Sequence, residues 1–386
     1  MTAITEQTTA FTGHDQYLFR EGTHARLYEK LGAHVVPNAV EFAVWAPNAA
    51  SVAVIGDWNG WDPRANPMQG SDAGIWTARV EGAGHGSIYK FHVISKNGDF
   101  KVDKSDPFAF RAEAPPRTGS VVWDLDYQWG DAEWMKTRQH RNALGAPCSV
   151  YELHLGSWRR DPSNPERLLG YKEVAPTLAR YVKEMGFTHV ELMPIMEHPF
   201  YGSWGYQCTG YFAASARYGT PQDLMFLVDT LHQAGIGVIL DWVPSHFPWD
   251  QHGLGYFDGT HLFEHSDPQQ GFHPDVISTD LHTGSMNAGM KDQLNIMSKF
   301  LNMEMTLKEV IAASTWKPAQ VIKREELGHL SEGAVADIAV FSLQEGKFGF
   351  IDSGGFKMEG TQKLQCELTI REGDVVYDLN GISRPM

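Results

Sequence analysis

The chain has 386 residues, enough for two or three domains with sizeable cores, and its 42% hydrophobic and 20% charged residues are those of a soluble globular protein. A net charge of −15 argues against polyanionic partners such as nucleic acid and says little about a neutral partner. No apolar run reaches membrane-spanning length, the polar N-terminus lacks a signal-peptide core, and Cys148, Cys208 and Cys366 form no C-x-x-C pair, so a reduced cytoplasmic setting without membrane contact is expected.

Alternating, turn-rich sequence runs from about residue 38 to 124. Strands are predicted at 41–45, 51–55, 74–80 and 87–93, with a turn at Asp57-Trp58-Asn59-Gly60-Trp61, which argues for a β-sandwich. From Cys148 the rhythm changes. A strand at 149–154, a helix at 174–185, a strand at 188–193, a helix at 222–234 and a strand at 237–242 read as parallel βαβ units, the way a (β/α)8 barrel begins. One more strand is expected at 276–280, which makes four parallel strands where a closed barrel has eight. Helices are then predicted at about 290–303 and 306–314, and antiparallel strands at 336–341, 364–370 and 374–377. The expected fold is multidomain: an N-terminal extension (1–37), a β-sandwich (38–124), an incomplete (β/α)8 barrel (125–275), and a C-terminal α+β segment (276–386) ending in antiparallel strands.

Three motifs fall near the strand ends of the barrel-like part. They are Tyr151-Glu152-Leu153-His154-Leu155-Gly156-Ser157-Trp158, Gly202-Ser203-Trp204-Gly205-Tyr206, and Asp241-Trp242-Val243-Pro244-Ser245-His246-Phe247. Binding and catalytic groups gather where βα loops converge at the C-terminal ends of parallel strands. Alone, Asp241 and His246 fit a turn acid and a loop histidine as well as a binding pair. The 12 tryptophans, 13 tyrosines and 20 phenylalanines suit stacking on sugars, though core packing is their commoner use.

In order and spacing the three motifs resemble the first barrel segments of bacterial glycogen (1,4-α-glucan) branching enzymes of the α-amylase superfamily. The turn at 57–61 and Trp45-Ala46-Pro47-Asn48-Ala49 resemble that family's carbohydrate-binding module, in which Trp58, Trp61 and Trp76 become sugar-stacking candidates. The resemblance runs from Tyr17 to Asp275 and implies glycogen or another α-glucan as partner. It implies that Tyr206 stacks at the subsite of the sugar to be cleaved, with Trp204 beside it. Asp241 would order the floor of that subsite, and His246 would bond the same sugar's hydroxyls. Branching is a retaining transglycosylation with a carboxylate nucleophile and an acid about 5–5.5 Å apart. The family's nucleophile sits in an arginine-valine-aspartate context on the fourth strand and its acid on the fifth. No such segment follows Asp241 here, so the catalytic carboxylates are expected to be missing, and no cofactor is implied.

Ser278-Thr279-Asp280-Leu281-His282-Thr283-Gly284 and the run 327–338 resemble the C-terminal end of metal-dependent amidohydrolases of the dihydroorotase and deacetylase type. There Asp280 would ligate metal, zinc under this reading. The family's His-x-His pair is not found, so an acid at a strand end without metal is expected. The sequence therefore reads as a chimera joined near Asp275–Val276. Three functions follow from it: glucan branching by family but without its carboxylates, glucan binding without catalysis, and metal-dependent amide hydrolysis by the tail.

Overall fold

The computed structural model describes residues 11–143, 145–244, 247–264, 276–278, 292–351 and 357–384. The chain divides into two compact units, Met1–Glu264 and His265–Met386. Among the described residues no helix is long and apolar enough to cross a membrane.

The first unit opens with helix α1 (Gly13–Arg20), whose N-terminus is closed by Thr12 and Asp15 bonding each other's backbone. Next come strands β1 (Gly32–Val36), β2 (Ala39–Trp45), β3 (Ala49–Gly56), β4 (Gln69–Gly70), β5 (Ile75–Val80), β6 (Ile88–Ser95), β7 (Lys101–Lys104), β8 (Arg111–Ala112) and β9 (Ser120–Val121). They form one sheet in the order β1-β2-β5-β4 and another in the order β3-β6-β9-β8, with β7 also on β6. Alternation in β6 turns Tyr89, Phe91 and Val93 inward, where they meet Phe42 and Val44 of β2 and Val52 and Val54 of β3. The expected sandwich is present, with its predicted strands appearing as β2, β3, β5 and β6.

A later stretch of chain, 247–264, completes that core. Leu254 and Phe257 are buried in it, with Phe247 and Phe263 packed at its margin. Burying a loop requires partners for its polar groups. Lys104, at the end of β7 and 1% exposed, donates from Nζ to Gly253 O (2.9 Å) and Gly255 O (3.0 Å). The fully buried carboxylate of Asp258 accepts from Asn48 N (2.9 Å) and from Thr260 Oγ1 (2.6 Å).

Between these lies the α/β part. Helix α2 (Ala132–Arg141) precedes β10 (Val150–Leu153), the single turn α3 (Leu155–Trp158), and the β11 (Arg160–Asp161) and β12 (Asn164–Leu168) ribbon. Helix α4 (Tyr171–Glu184), β13 (His189–Leu192), the short pair β14 (Met196–Glu197) and β15 (Gly210–Ala214), helix α5 (Pro221–Gln233) and β16 (Gly237–Leu240) complete it. Strands β10, β13 and β16 are parallel and in step, with Glu152 beside Glu191 and Glu191 beside Ile239. Helix α4 buries Tyr171, Val174, Ala175, Leu178 and Val182, the spacing of one apolar face. Thr220 caps α5 with Pro221 as its first residue, where a missing N–H costs nothing. Both helices pack on the sheet face that carries Leu153, Val190 and Leu192. Among the described residues β16 is bonded on one side only, and its Leu240 is 49% exposed.

In the second unit, α6 (Gln293–Leu301), α7 (Leu307–Ser314) and α8 (Trp316–Val321) precede an antiparallel sheet β17 (Ile338–Ile351), β18 (Lys357–Arg371) and β19 (Asp374–Asp378). Ile296, Leu301, Val310 and Ala313 bury Leu364 of β18. Asn302 follows α6 and bonds Gln362 O (2.7 Å) and Thr361 N (2.8 Å). It fits because residue 360 is glycine: a Cβ there would lie 2.5 Å from Asn302 Cγ. The expected fourth parallel strand is not found over Val276–Ser278, which lie in no strand; Ile277 instead donates its N–H to Ala313 O (2.8 Å) in the helical cluster. Thr279 and Asp280 lie outside the described residues.

Replacing Asp258 with Ala strands the donors of Asn48 and Thr260, and the urea midpoint should fall by an amount equivalent to about 1–3 kcal/mol. Burial pushes the Lys104 ammonium down to about 8, although Asp258 and Glu264 pull the other way. The unfolded value is about 10.4, so between these limits the unfolded chain binds the proton more tightly and stability rises with pH. Lys104→Met should lose that rise; urea midpoints for both proteins near pH 8 and near pH 10 check it, and parallel behaviour would count against the lysine.

Candidate functional site

The face of the parallel sheet turned away from α4 and α5 carries Glu152, Glu191 and Ile239, in register. Asp241 follows the end of β16 and its N–H still bonds Leu192 O (3.0 Å), so the strand geometry aims its carboxylate. Tyr206 donates its hydroxyl to Asp241 Oδ2 at 2.6 Å, a short bond of the charge-assisted kind. Burial first, then the charges of Glu152 and Asp241, raise the Glu191 carboxyl above its ordinary range. Three carboxyl groups, Glu152, Glu191 and Asp241, are therefore grouped along this face.

The loop that presents Tyr206 starts from β14. Glu197, at the end of that strand, is 5% exposed and would be unstable there alone. Its carboxylate accepts from Ala216 N (2.7 Å), from His198 N (3.1 Å) and from Arg217 Nη1 (3.0 Å). Burial is the larger effect and raises this carboxyl, with those bonds opposing it. Arg217 also donates to His198 O (2.7 Å) and Pro199 O (2.9 Å), so one guanidinium fastens both ends of the 197–217 loop. His198 donates from Nδ1 to Met196 O (2.8 Å), its Nε2 has no partner, and burial pushes its pKa down to about 4, which keeps the ring neutral.

Within the loop, Gly205 has φ +89° and its missing side chain leaves room for Pro194 O, 2.2 Å from where a Cβ would stand. Trp204 also takes the left-handed conformation (φ 54°), is half exposed, and stacks on His154 with centroids 5.4 Å apart. Trp204, Tyr206 and Asp241 are therefore brought to one end of the sheet. His246 lies outside the described residues. Tyr211 donates to Val243 O (2.8 Å), which ties down the chain that leaves Asp241.

The three sandwich tryptophans do different things. Trp58 lies over Phe42 (5.8 Å) and donates to Asn66 Oδ1 (3.1 Å), and Trp76 donates to Ala46 O (2.9 Å); both pack against the core. Trp61 is 41% exposed with φ 63°, held outward by the turn. Sequence reasoning missed Glu197 and Arg217, whose only signal was an acid five residues past the end of a parallel strand and an arginine twenty residues further on. Among the described residues no three His, Cys, Asp or Glu side chains group as metal ligands. Asp280 lies outside them.

Residues 30–109 match the family described as carbohydrate-binding module 48 (isoamylase N-terminal domain), and residues 176–272 match the alpha amylase catalytic domain. Residues 268–376 match the amidohydrolase family. The 1,4-alpha-glucan branching enzyme GlgB of Albidiferax ferrireducens is 61% identical over 274 residues, which is 70% of this chain and 43% of that protein. The enzyme of the same name from Aquifex aeolicus is 59% identical over 268 residues, 68% of this chain and 42% of its own. A solved structure of a putative alpha amylase from Salmonella typhimurium overlaps 57% of this chain and 34% of its own at 26% identity and a TM-score of 0.45. The chain thus spans less than half the length of the curated relatives it matches. The resemblance of the front to branching enzymes and of the back to amidohydrolases is borne out, and the two family matches meet at 268–272.

Arg217→Met should leave Glu197 buried and unpaired and cost about 3–5 kcal/mol, read from the urea midpoint. Adding Glu197→Gln should recover part of the loss; an unchanged midpoint in the single variant would show that the pair does not hold the loop.

Proposed function

We propose that this chain binds α-glucan, the substrate class named for its relatives, and forms no α-1,6 branches itself. The observation that carries the reading is the 2.6 Å bond between Tyr206 and Asp241 at the end of a parallel strand. It joins an aromatic ring to a carboxylate at the strand end, and in this reading the pair is the floor on which a sugar rests, with Trp204 nearby. In this reading His246 adds hydrogen bonds to the same sugar. Trp61 offers a separate stacking surface on the sandwich, with Trp58 and Trp76 supporting the turn from below.

Binding is not catalysis. A retaining transfer needs a nucleophilic carboxylate and a carboxylic acid on opposite sides of the glycosidic bond. Glu152 and Glu191 share the inward face, but they lie in mid-strand, below the strand ends where βα loops gather reacting groups. The sequence after Asp241 has no arginine-valine-aspartate segment and passes into the amidohydrolase-like region. The three parallel strands among the described residues, where the barrel has eight, support the reading of an incomplete barrel.

Glycogen in a native gel should retard the chain, and Trp61→Ala should weaken the apparent affinity about fivefold through loss of one aromatic contact. With amylose as substrate, new α-1,6 links should stay at background. Equal mobility with and without glycogen would remove the binding reading, and branch formation would remove the rest.

A further inference from the structure

At the opposite end of the same sheet, three side chains form a constellation that glucan binding leaves unused. Cys148 is solvent-exposed and stands just before β10. Its Sγ is 3.8 Å from Nδ1 of His189, the first residue of β13. Nε2 of the same ring is 3.1 Å from Asn142 Oδ1. An amide oxygen only accepts, so Nε2 carries the hydrogen and Nδ1 is the acceptor, facing both the Thr188 hydroxyl at 2.8 Å and the thiol at 3.8 Å.

The surroundings also suit the ring once it has gained a proton. Thr188 Oγ1 lies 2.8 Å from Nδ1 and 3.0 Å from Ser149 O. Once Nδ1 is protonated the hydroxyl turns its single hydrogen to that carbonyl and accepts from Nδ1, while Asn142 accepts from Nε2. Position is enforced as well. Gly237 is the partner of His189 in register, and a Cβ on it would come 2.3 Å from His189 Cδ2. The imidazole occupies space that only glycine leaves open. A thiol beside a base that is itself oriented by a third group is the arrangement that generates a nucleophilic thiolate.

We propose that Cys148 is an activated thiol, set by His189 and Asn142, and a covalent modification site for low-molecular-weight disulfides. The Cys148 proton passes to His189 Nδ1, and the thiolate attacks one sulfur of the incoming disulfide. The new S–S bond forms as the old one breaks, and the departing thiolate takes the proton back from Nδ1. One disulfide replaces another, so no further oxidant enters. Cys208 cannot compete: it is buried, donates to Gly205 O (3.1 Å), and burial pushes its thiol up to about 12.

The test uses the full chain with Cys366→Ser, which leaves Cys148 as the accessible thiol, and follows its reaction with dithiobis-nitrobenzoate as a function of pH. At neutral pH the thiol should react several-fold faster than free cysteine measured alongside. His189→Gln should slow it on the order of tenfold at neutral pH. Asn142→Ala, an exposed change that spares the core, should act in the same direction and keeps the test valid if the His189 variant fails to fold. Oxidised glutathione should add to Cys148 as a mixed disulfide seen by mass, and Cys148→Ser should abolish it. A rate no faster than that of free cysteine, unchanged by Asn142→Ala or His189→Gln, would overturn the proposal.

Discussion

A buried ammonium and a buried carboxylate attach the 247–264 stretch to the sandwich, and the rest of the first unit is organised around them. Lys104 holds two carbonyls of the loop and Asp258 holds the backbone of Asn48, so each charge is used as a hydrogen-bond anchor. Such groups contribute little net stability compared with an apolar packing of the same shape, but they penalise every other register. Leu254 and Phe257 supply the hydrophobic gain; Lys104 and Asp258 decide where it is realised. The consequence reaches the Tyr206–Asp241 pair, because the chain that leaves Asp241 is gripped by Tyr211 at Val243 and then by the sandwich core.

A similar division of labour appears around Tyr206. The loop is stiffened from below by Glu197 and Arg217, while the groups above it are left exposed or half-exposed. Like charges on Glu152, Glu191 and Asp241 make that face unfavourable for an anion and tolerable for a neutral polyol. This agrees with an overall charge of −15, which would repel a phosphate-rich polymer and is indifferent to glucan.

Much of the fold could be read from periodicity. Alternation marked β6, and the spacing of Leu178 and Val182 marked α4, because burial on one face is written directly in the order of residues; Met185, at the same spacing, lies exposed past the last turn. Tyr206 and Asp241 were legible as motif residues, and they do meet. What could not be read was which of several chemically similar residues a tertiary contact would select. Nothing distinguishes Lys104 from Lys101 before a loop about 150 residues later closes over one of them. Trp58, Trp61 and Trp76 look alike in sequence, yet two lie on the core and one faces water, since the turn conformation decides. The expected strand over 276–280 failed at Ile277 because an apolar residue at a chain crossing satisfies a helical cluster as readily as a sheet.

The parallel sheet has two free edges of different kinds among the described residues, β10 on one side and β16 on the other. Unpaired backbone groups on an edge strand accept any extended chain, and exposed Ile239 and Leu240 add apolar surface to one of them. Because the two edges are not alike, a copy that docks by its β10 edge on another's β16 leaves a fresh β16 edge exposed. Such contacts are head-to-tail and do not close on themselves, so self-association through this sheet would grow as a polar filament rather than stop at a dimer.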